Sequence, residues 1–303
     1  MPLSSIVDFL GNCPQYIANG LANGCIYILL AMGFNIIFNS TGIINFAQGE
    51  FCMFGGLFAF TFAVTLGLPL PIAIVLAIVA TALIGGIMER LLVYPLRHAS
   101  IITAIIATVG ASIFFKALGR LFWPKEAYKV PEFTSGNFSI PGATVSRQFL
   151  WVFGLTAISV ALVYLFFNHT RAGRAMRACS VNRQAASLVG INVSRMSLYS
   201  FLLAATLGGI AGLINAPYAS YGIGLFLGIK GFTAAVVGGL GNTFGAVTGG
   251  LVLGLLEELI PGFLTIVLGI STGYKEAVAA ILLIAVLLLR PQGILGKGIA
   301  EKV

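Results

Sequence analysis

Charge is scarce in this sequence: only 9% of its 303 residues are Asp, Glu, Lys or Arg, against roughly 25% in a soluble domain. Beside 58% hydrophobic residues, that scarcity excludes soluble enzyme folds, because too few ionisable groups exist to cover a water-facing surface. Catalytic groups are scarcer still. The sole aspartate is Asp8, and the two histidines, His98 and His169, fall among arginines at expected membrane edges. No H-E-x-x-H or G-x-S-x-G string occurs, so an intramembrane protease is not expected and no catalytic residue is assigned. The phosphate-binding string G-x-x-x-x-G-K-[ST] is missing too, since Gly296 and Lys297 lack both the upstream glycine and the following hydroxyl. If ATP drives this protein, another subunit binds it. Cys13, Cys25, Cys52 and Cys179 show no C-x-x-C spacing, which leaves no disulfide framework and no metal site, and no cofactor is expected. The net charge of +8 sits beside apolar runs and marks topology rather than a nucleic-acid partner.

What is abundant is apolar sequence of membrane-spanning length. Such runs cover Gln15–Phe38, Ala47–Leu66, Leu70–Val93, Ser100–Gly119, Phe149–Phe167, Met196–Pro217, Gly231–Glu257 and Glu276–Leu289. An all-α polytopic membrane protein follows, one domain over 1–303 with about eight helices. The first basic residue is Arg90, so the amino terminus lacks the charged region of a cleavable signal and is expected to remain as a span. Arg171, Arg174, Arg177, Arg183 and Arg195 share one segment without a carboxylate, which the positive-inside rule places in the cytoplasm. Alternation then puts the amino terminus outside, together with the Phe122–Arg147 loop and its mixed charges Lys125, Glu126, Lys129 and Glu132. Arg290, Lys297 and Lys302 argue for a cytoplasmic carboxyl end.

Eight crossings would return both ends to one side. The parity is restored if Gly231–Glu257 is two pieces, a short helix Phe232–Leu240 and a span from about Phe244, broken at Gly238, Gly239, Gly241 and Asn242. A second interruption is Asn39–Gly49, where N-S-T-G-I-I-N-F-A-Q-G separates two apolar helices. Non-helical backbone at membrane depth is tolerated only inside protein or against a wet cavity, and discontinuous helices mark substrate paths in transporters. The alternative at each place is an ordinary tight turn at the membrane face. Asn45, Gln48, Glu50, Gly238, Gly239 and Asn242 are therefore the candidate path residues. Glu50 stands out because a carboxylate is costly in lipid, although at a helix start it also complements the dipole. Glu89 and Arg90 read as snorkelling or locally paired residues. Glycines spaced by four, such as Gly208 and Gly212 or Gly250 and Gly254, permit close helix approach, within the chain or between subunits.

The cytoplasmic segment 171–195 holds a short run of helix formers ended by a glycine, with Arg174, Arg177, Gln184, Ala185, Ala186 and Gly190 as candidate coupling residues. Composition alone admits two uses, docking on another protein or touching anionic membrane lipid. Its Q-A-A-x-x-x-G resembles the E-A-A-x-x-x-G coupling loop of ATP-binding-cassette importer permeases. R-A-G-R-A and A-S-L-V-G-I-N around it, G-I-I-N-F-A-Q-G-E-F at residues 42–51 and A-A-V-V-G-G-L-G-N-T-F-G-A-V-T-G-G at 234–250 are similar to the branched-chain amino acid permease family, in the shorter of its two paralogous types. The likeness runs from about Tyr16 to Gly293. One departure is Gln48, which stands where the family usually has histidine and offers only neutral hydrogen bonding. The resemblance implies a bacterial-type inner-membrane subunit that pairs with a second homologous permease as a heterodimer, with two cytoplasmic ATP-binding-cassette subunits and an external substrate-binding protein. It implies import of branched-chain or other apolar amino acids by alternating access, with urea or short amides as the next substrate class. An ATP-independent channel or secondary carrier is the alternative from another class.

Overall fold

Backbone that leaves water must satisfy its own N–H and C=O groups, so long apolar runs become helices. The computed structural model describes residues 3–97, 99–131, 133–134, 136–140, 142–215, 218–269, 275–290 and 292–296. His98, Glu132, Pro217, Lys297 and Lys302 lie outside the described residues. The helices are α1 (Leu3–Thr41), α2 (Gln48–Phe60), α3 (Leu70–Met88), α4 (Ile101–Phe122), α5 (Gln148–His169), α6 (Arg171–Val181), α7 (Arg183–Leu188), α8 (Val193–Ile214), α9 (Ile223–Gly238), α10 (Thr243–Leu268) and α11 (Lys275–Leu289). Single π turns extend α2 through Thr61–Thr65 and α3 through Glu89–Val93. Six of these helices, α1, α3, α4, α5, α8 and α10, are long and apolar enough to cross a membrane, while α9 and α11 are shorter apolar helices.

Burial sorts the helices into a centre and a jacket. α1 is buried along most of its apolar length and α8 nearly as much, whereas α3, α4 and α5 expose most of their residues. Leu29, Leu30, Ala31 and Met32 of α1 have no exposed surface. Glycine makes this packing possible: a Cβ on Gly20 would lie 2.9 Å from the Gly254 carbonyl oxygen, and one on Gly24 3.1 Å from that of Gly250. The four-residue glycine spacing is thus used inside the chain, where α1 and α10 meet backbone to backbone.

The α9 boundary differs from the sequence expectation of a short Phe232–Leu240 helix. It begins at Ile223 and has 16 residues, about 24 Å at the α-helical rise. Lys230 and the glycines at 224, 228 and 231 lower its apparent hydropathy, but the glycines are sites of close packing against α2 and α1 and Lys230 is paired. Hydropathy alone therefore cut the helix short. Among the described residues, the start of α1 and residues 292–296 lie at opposite ends of the helices. At one face, a β2–β3 hairpin (Asn137–Ile140 and Ala143–Ser146) leans on the start of α1, where Thr144 N–H donates to Gln15 Oε1 at 2.8 Å. The two-residue strands β1 (Tyr128–Lys129) and β4 (Tyr218–Ala219) pair antiparallel there as well. At the other face, Ile294 and Leu295 N–H groups bond the carbonyls of Val237 and Gly238 at 2.8 and 3.1 Å.

Candidate functional site

The first interruption starts where α1 ends at Thr41. Gly42 takes φ +69°, a left-handed conformation that favours glycine, and the chain then runs without regular structure through 43–45 and a turn at Phe46–Ala47. Thr108 of α4 supports that stretch, accepting from Phe46 N–H at 3.3 Å and lying 3.4 Å from the Ile44 carbonyl. Asn45 Oδ1 accepts from Ala47 N–H at 3.1 Å, an Asx turn that opens the next helix. α2 therefore begins at Gln48 far inside the protein, not at its edge: Asn45 and Gln48 have no exposed surface and Glu50 has 1%.

Gln48 and Glu50 reach different helices. Gln48 Nε2 donates to the Ala204 carbonyl of α8 at 2.9 Å and occupies the space that a side chain at Gly33 would need. Ser112 Oγ donates to Glu50 Oε1 at 2.9 Å. Because Ser112 is half-way along the 22-residue α4, Glu50 sits at mid-depth of the helical layer. On its other side lies Gly224 of α9, where any Cβ would collide with the Glu50 carboxylate, 2.6 Å from its Cδ. Three buried polar atoms at this point, Asn45 Nδ2, Gln48 Oε1 and Glu50 Oε2, have no hydrogen-bond partner among the described residues. An orphaned buried polar atom costs about 1–3 kcal/mol; none of the described cavities is lined by Asn45, Gln48 or Glu50. The sequence signal for the supporting residues was there to read, as Ala104, Thr108 and Ser112 form a small, polar i+4 stripe on an otherwise apolar α4.

The second interruption is different in kind. Gly239 and Gly241 take φ +107° and +86°, and Asn242 caps α10 by accepting from Phe244 and Gly245 N–H at 3.0 and 3.2 Å. Its amide donates to the Leu295 carbonyl at 2.8 Å. Asn35 and Asn39, near the end of α1, bond the Gly241–Asn242 backbone at 2.8–3.0 Å. Gly238 packs against Gly245. Gly238, Gly239 and Asn242 thus gather at the face that holds α6 and α7, where Asn242, with Asn39, Arg177 and Gly241, borders a cavity of about 860 Å³. They do not join Asn45, Gln48 and Glu50 in one site.

The 171–195 segment forms two helices. In α6, Gly173, Met176 and Cys179 face inward while Arg171, Arg174 and Arg177 face out, and Arg177 donates to Asn168 Oδ1 at 3.0 Å. Asn182 caps α7 through Gln184 and Ala185 N–H, both at 3.0 Å, and Gly190 at φ +85° ends it. Only Ala186 of α7 is buried. Gln184, Ala185 and Gly190 are exposed, as are Leu188 (87%) and Val189 (77%), an apolar tip beyond what a free surface needs. Arg183 ties this helix to the first interruption by donating to the Thr41 carbonyl at 2.7 Å. Burial pushes the Arg183 guanidinium down and the neighbouring Cys179 thiol up from their ordinary values.

Sequence reasoning missed one charged cluster altogether. Lys230 of α9 and Glu257 of α10 form a buried ion pair at 2.6 Å, and Tyr27 of α1 donates to the other Glu257 oxygen at 2.6 Å. A lone lysine inside L-F-L-G-I-K-G-F was the available signal, since ionisable residues within spans are rare and paired.

Comparison with known proteins fits these features. Residues 16–287 match the family described as branched-chain amino acid transport system / permease component. The chain is 34% identical over 310 residues to the high-affinity branched-chain amino acid transport system permease protein LivH of Escherichia coli K12, covering 95% of this chain and 97% of that one. With the corresponding protein BraD of Pseudomonas aeruginosa the identity is 37% over 305 residues, at the same coverage. With a probable branched-chain amino acid transport permease protein of Methanocaldococcus jannaschii it is 30% over 286 residues, or 89% of this chain and 88% of that one. Among solved structures, a chain of PsaBC from Streptococcus pneumoniae in complex with Fab shares the fold at a TM-score of 0.55 and 15% identity, over 95% of this chain and 97% of that one.

Proposed function

The chain belongs to the family of branched-chain amino acid transport permeases, and on that premise we propose that it is the membrane-spanning subunit of an ATP-driven importer for branched-chain or other apolar amino acids. One observation carries the reading: an exposed short helix is tied through Arg183 to the end of α1, where the interruption leading to Gln48 and Glu50 begins. In this reading α7 docks in a groove of a cytoplasmic ATPase with its Leu188 and Val189 tip, and Arg174 and Arg177 flank the docked surface. The subunit pairs with a second, homologous permease, two ATP-binding-cassette subunits bind beneath, and a soluble binding protein delivers substrate from outside. The segment 171–195 is the coupling element of a single domain spanning 1–303.

Orientation follows from charge and from the helix ends. Five arginines without a carboxylate favour a cytoplasmic position for α6 and α7; in this reading the start of α1 and the β2–β3 hairpin are outside the bacterial inner membrane, and residues 292–296 inside. With α2, α9 and α11 counted as crossings, the chain passes nine times. The exposed apolar flanks of α3, α4 and α5 face membrane lipid.

Closure of the ATPase pair upon ATP binding shifts α7, and Arg183 carries that shift to Thr41 and the non-helical 42–47 stretch. Gly42 is the hinge. The start of α2 then moves against α8 and α4, which exchanges the partners of Gln48 and Glu50 and switches access to the mid-depth cluster from one side to the other. Contacts that differ between the two states supply the bias, and selection of substrate rests largely with the external protein. The test is uptake of labelled leucine, and separately of urea, into proteoliposomes containing the full complex. ATP- and binding-protein-dependent leucine uptake is expected. Leucine uptake without ATP would overturn the importer reading in favour of a channel or carrier, and uptake of urea alone would overturn the substrate class.

A further inference from the structure

Between α1, α8, α9, α10 and α11, at the face opposite α7, lies a cavity of about 500 Å³, within the range of small-molecule sites. Its lining divides by chemistry. Ile223, Phe226 and Leu227 form an apolar wall, while Lys230, Asn215 and Glu276 supply polar groups. The Lys230 side chain is 15% exposed, and its ammonium makes its one hydrogen bond among the described residues to Glu257, so two of its three donors remain for the cavity. Glu257 is wholly buried and has both oxygens engaged, by Lys230 and Tyr27. The pair is therefore not a self-contained neutral brace: its anion is shut away from the cavity's contents and its cation is not.

We propose that this cavity is an outer station for the zwitterionic head of an α-amino acid, resting on the importer reading above and adding to it a site and its recognition chemistry. The α-carboxylate accepts from the free donors of Lys230. The α-ammonium donates to the Glu276 carboxylate and the Asn215 amide oxygen at the rim. A branched aliphatic side chain lies on Ile223, Phe226 and Leu227, which offer surface without hydrogen bonds and so disfavour polar side chains. Glu257 and Tyr27 are positioning residues that hold the ammonium of Lys230 at the cavity wall. The station connects to the mid-depth cluster across one element: the opposite side of α9 presents Gly224 and Gly228 to Glu50 and Gly49. A helix wall of two glycines is the thinnest partition a protein can build, so substrate leaving the station has only this turn of α9 to pass.

The experiment uses the complete reconstituted complex with labelled leucine as probe, its amine analogue lacking the carboxylate and its acid analogue lacking the amine as competitors, and ATP hydrolysis and assembly measured in parallel. Lys230→Gln removes the carboxylate anchor, and Ile223→Trp fills the cavity while leaving the ion pair untouched. Each is expected to lower leucine uptake about tenfold or more, the cost of one charge-assisted contact or of the site itself, with assembly intact. The exchanged pair Lys230→Glu with Glu257→Lys preserves attraction but removes the anchor from α9, and uptake is expected to stay low. In the wild type neither analogue competes with leucine after loading of the binding protein. Uptake above half the wild-type rate in Ile223→Trp, or recovery in the exchanged pair, overturns the station and leaves a structural brace; Ile223→Trp alone decides if Lys230→Gln does not assemble. A wild-type complex that moves no amino acid at all overturns the importer reading instead.

Discussion

Two interruptions in this chain look alike in sequence and differ in their hydrogen bonds. Both combine asparagine, glycine and small residues between apolar helices. At 238–242 the asparagines of three positions bond backbone at 2.8–3.2 Å, and the joint is closed. At 42–50 the Thr108 and Asn45 contacts hold the backbone, but one polar atom each of Asn45, Gln48 and Glu50 is left over at depth. A satisfied joint is a way to turn a chain, whereas an unsatisfied one retains energy that only a ligand or water recovers. The comparison teaches that hydrogen-bond accounting, and not glycine content, separates the two interruptions, and the proposed transport role of the 42–50 segment rests on that difference.

That contrast can be broken most directly at the deep site. Replacing Gln48 and Glu50 together by Leu removes two orphaned atoms, so the solubilised protein is expected to melt at or above the wild-type temperature while uptake falls about thirtyfold, as for roughly 2 kcal/mol of lost contact. Unchanged uptake would reduce Glu50 to a helix-start charge. The shallow joint should respond in the opposite sense. Asn242→Leu deletes a cap and its bond to Leu295, and is expected to cost about 1–2 kcal/mol of stability, seen as a lower melting temperature, with uptake per folded complex preserved. Loss of transport without loss of stability there would erase the distinction between the two interruptions.

Smaller effects probe the link between the faces. Arg183→Met cuts the bond to Thr41 and should lower uptake about fivefold, roughly 1 kcal/mol of coupling, while ATP hydrolysis continues. A parallel fall in both rates would mean that Arg183 serves assembly rather than transmission. Gly190→Ala forces a side chain into φ +85° with open space around it, so only the left-handed backbone cost of about 1–2 kcal/mol acts. That cost falls on the local end of α7, and less than about a twofold change in uptake is expected from fraying of one helix end.

Much of this was legible before any coordinates. Apolar runs of spanning length gave the all-α membrane class, and the short run of helix formers at 183–188 is a helix followed by Gly190 at positive φ, as its sequence leads one to expect. The depth of Gln48 was not legible, because it depends on a non-helical stretch folding back along α1 to the level of Gly33 and Ala204. Nor was α9. A hydropathy scan penalises lysine and glycine wherever they stand, and here the lysine is neutralised by a residue 27 positions away and the glycines by neighbouring backbones.

The sequence by itself determined what the chain could not be and where it meets the membrane, because desolvating charge and backbone is a local cost that each residue carries regardless of its neighbours. Only the tertiary structure decided which polar groups are spent and which are free. Asn242 and Glu50 are both costly in lipid as letters in a sequence, the carboxylate more so. One is matched by Leu295 and its own helix start, the other by Ser112 on one oxygen only. Pairing is a property of two positions brought together across the fold, so no reading of either residue alone contains it.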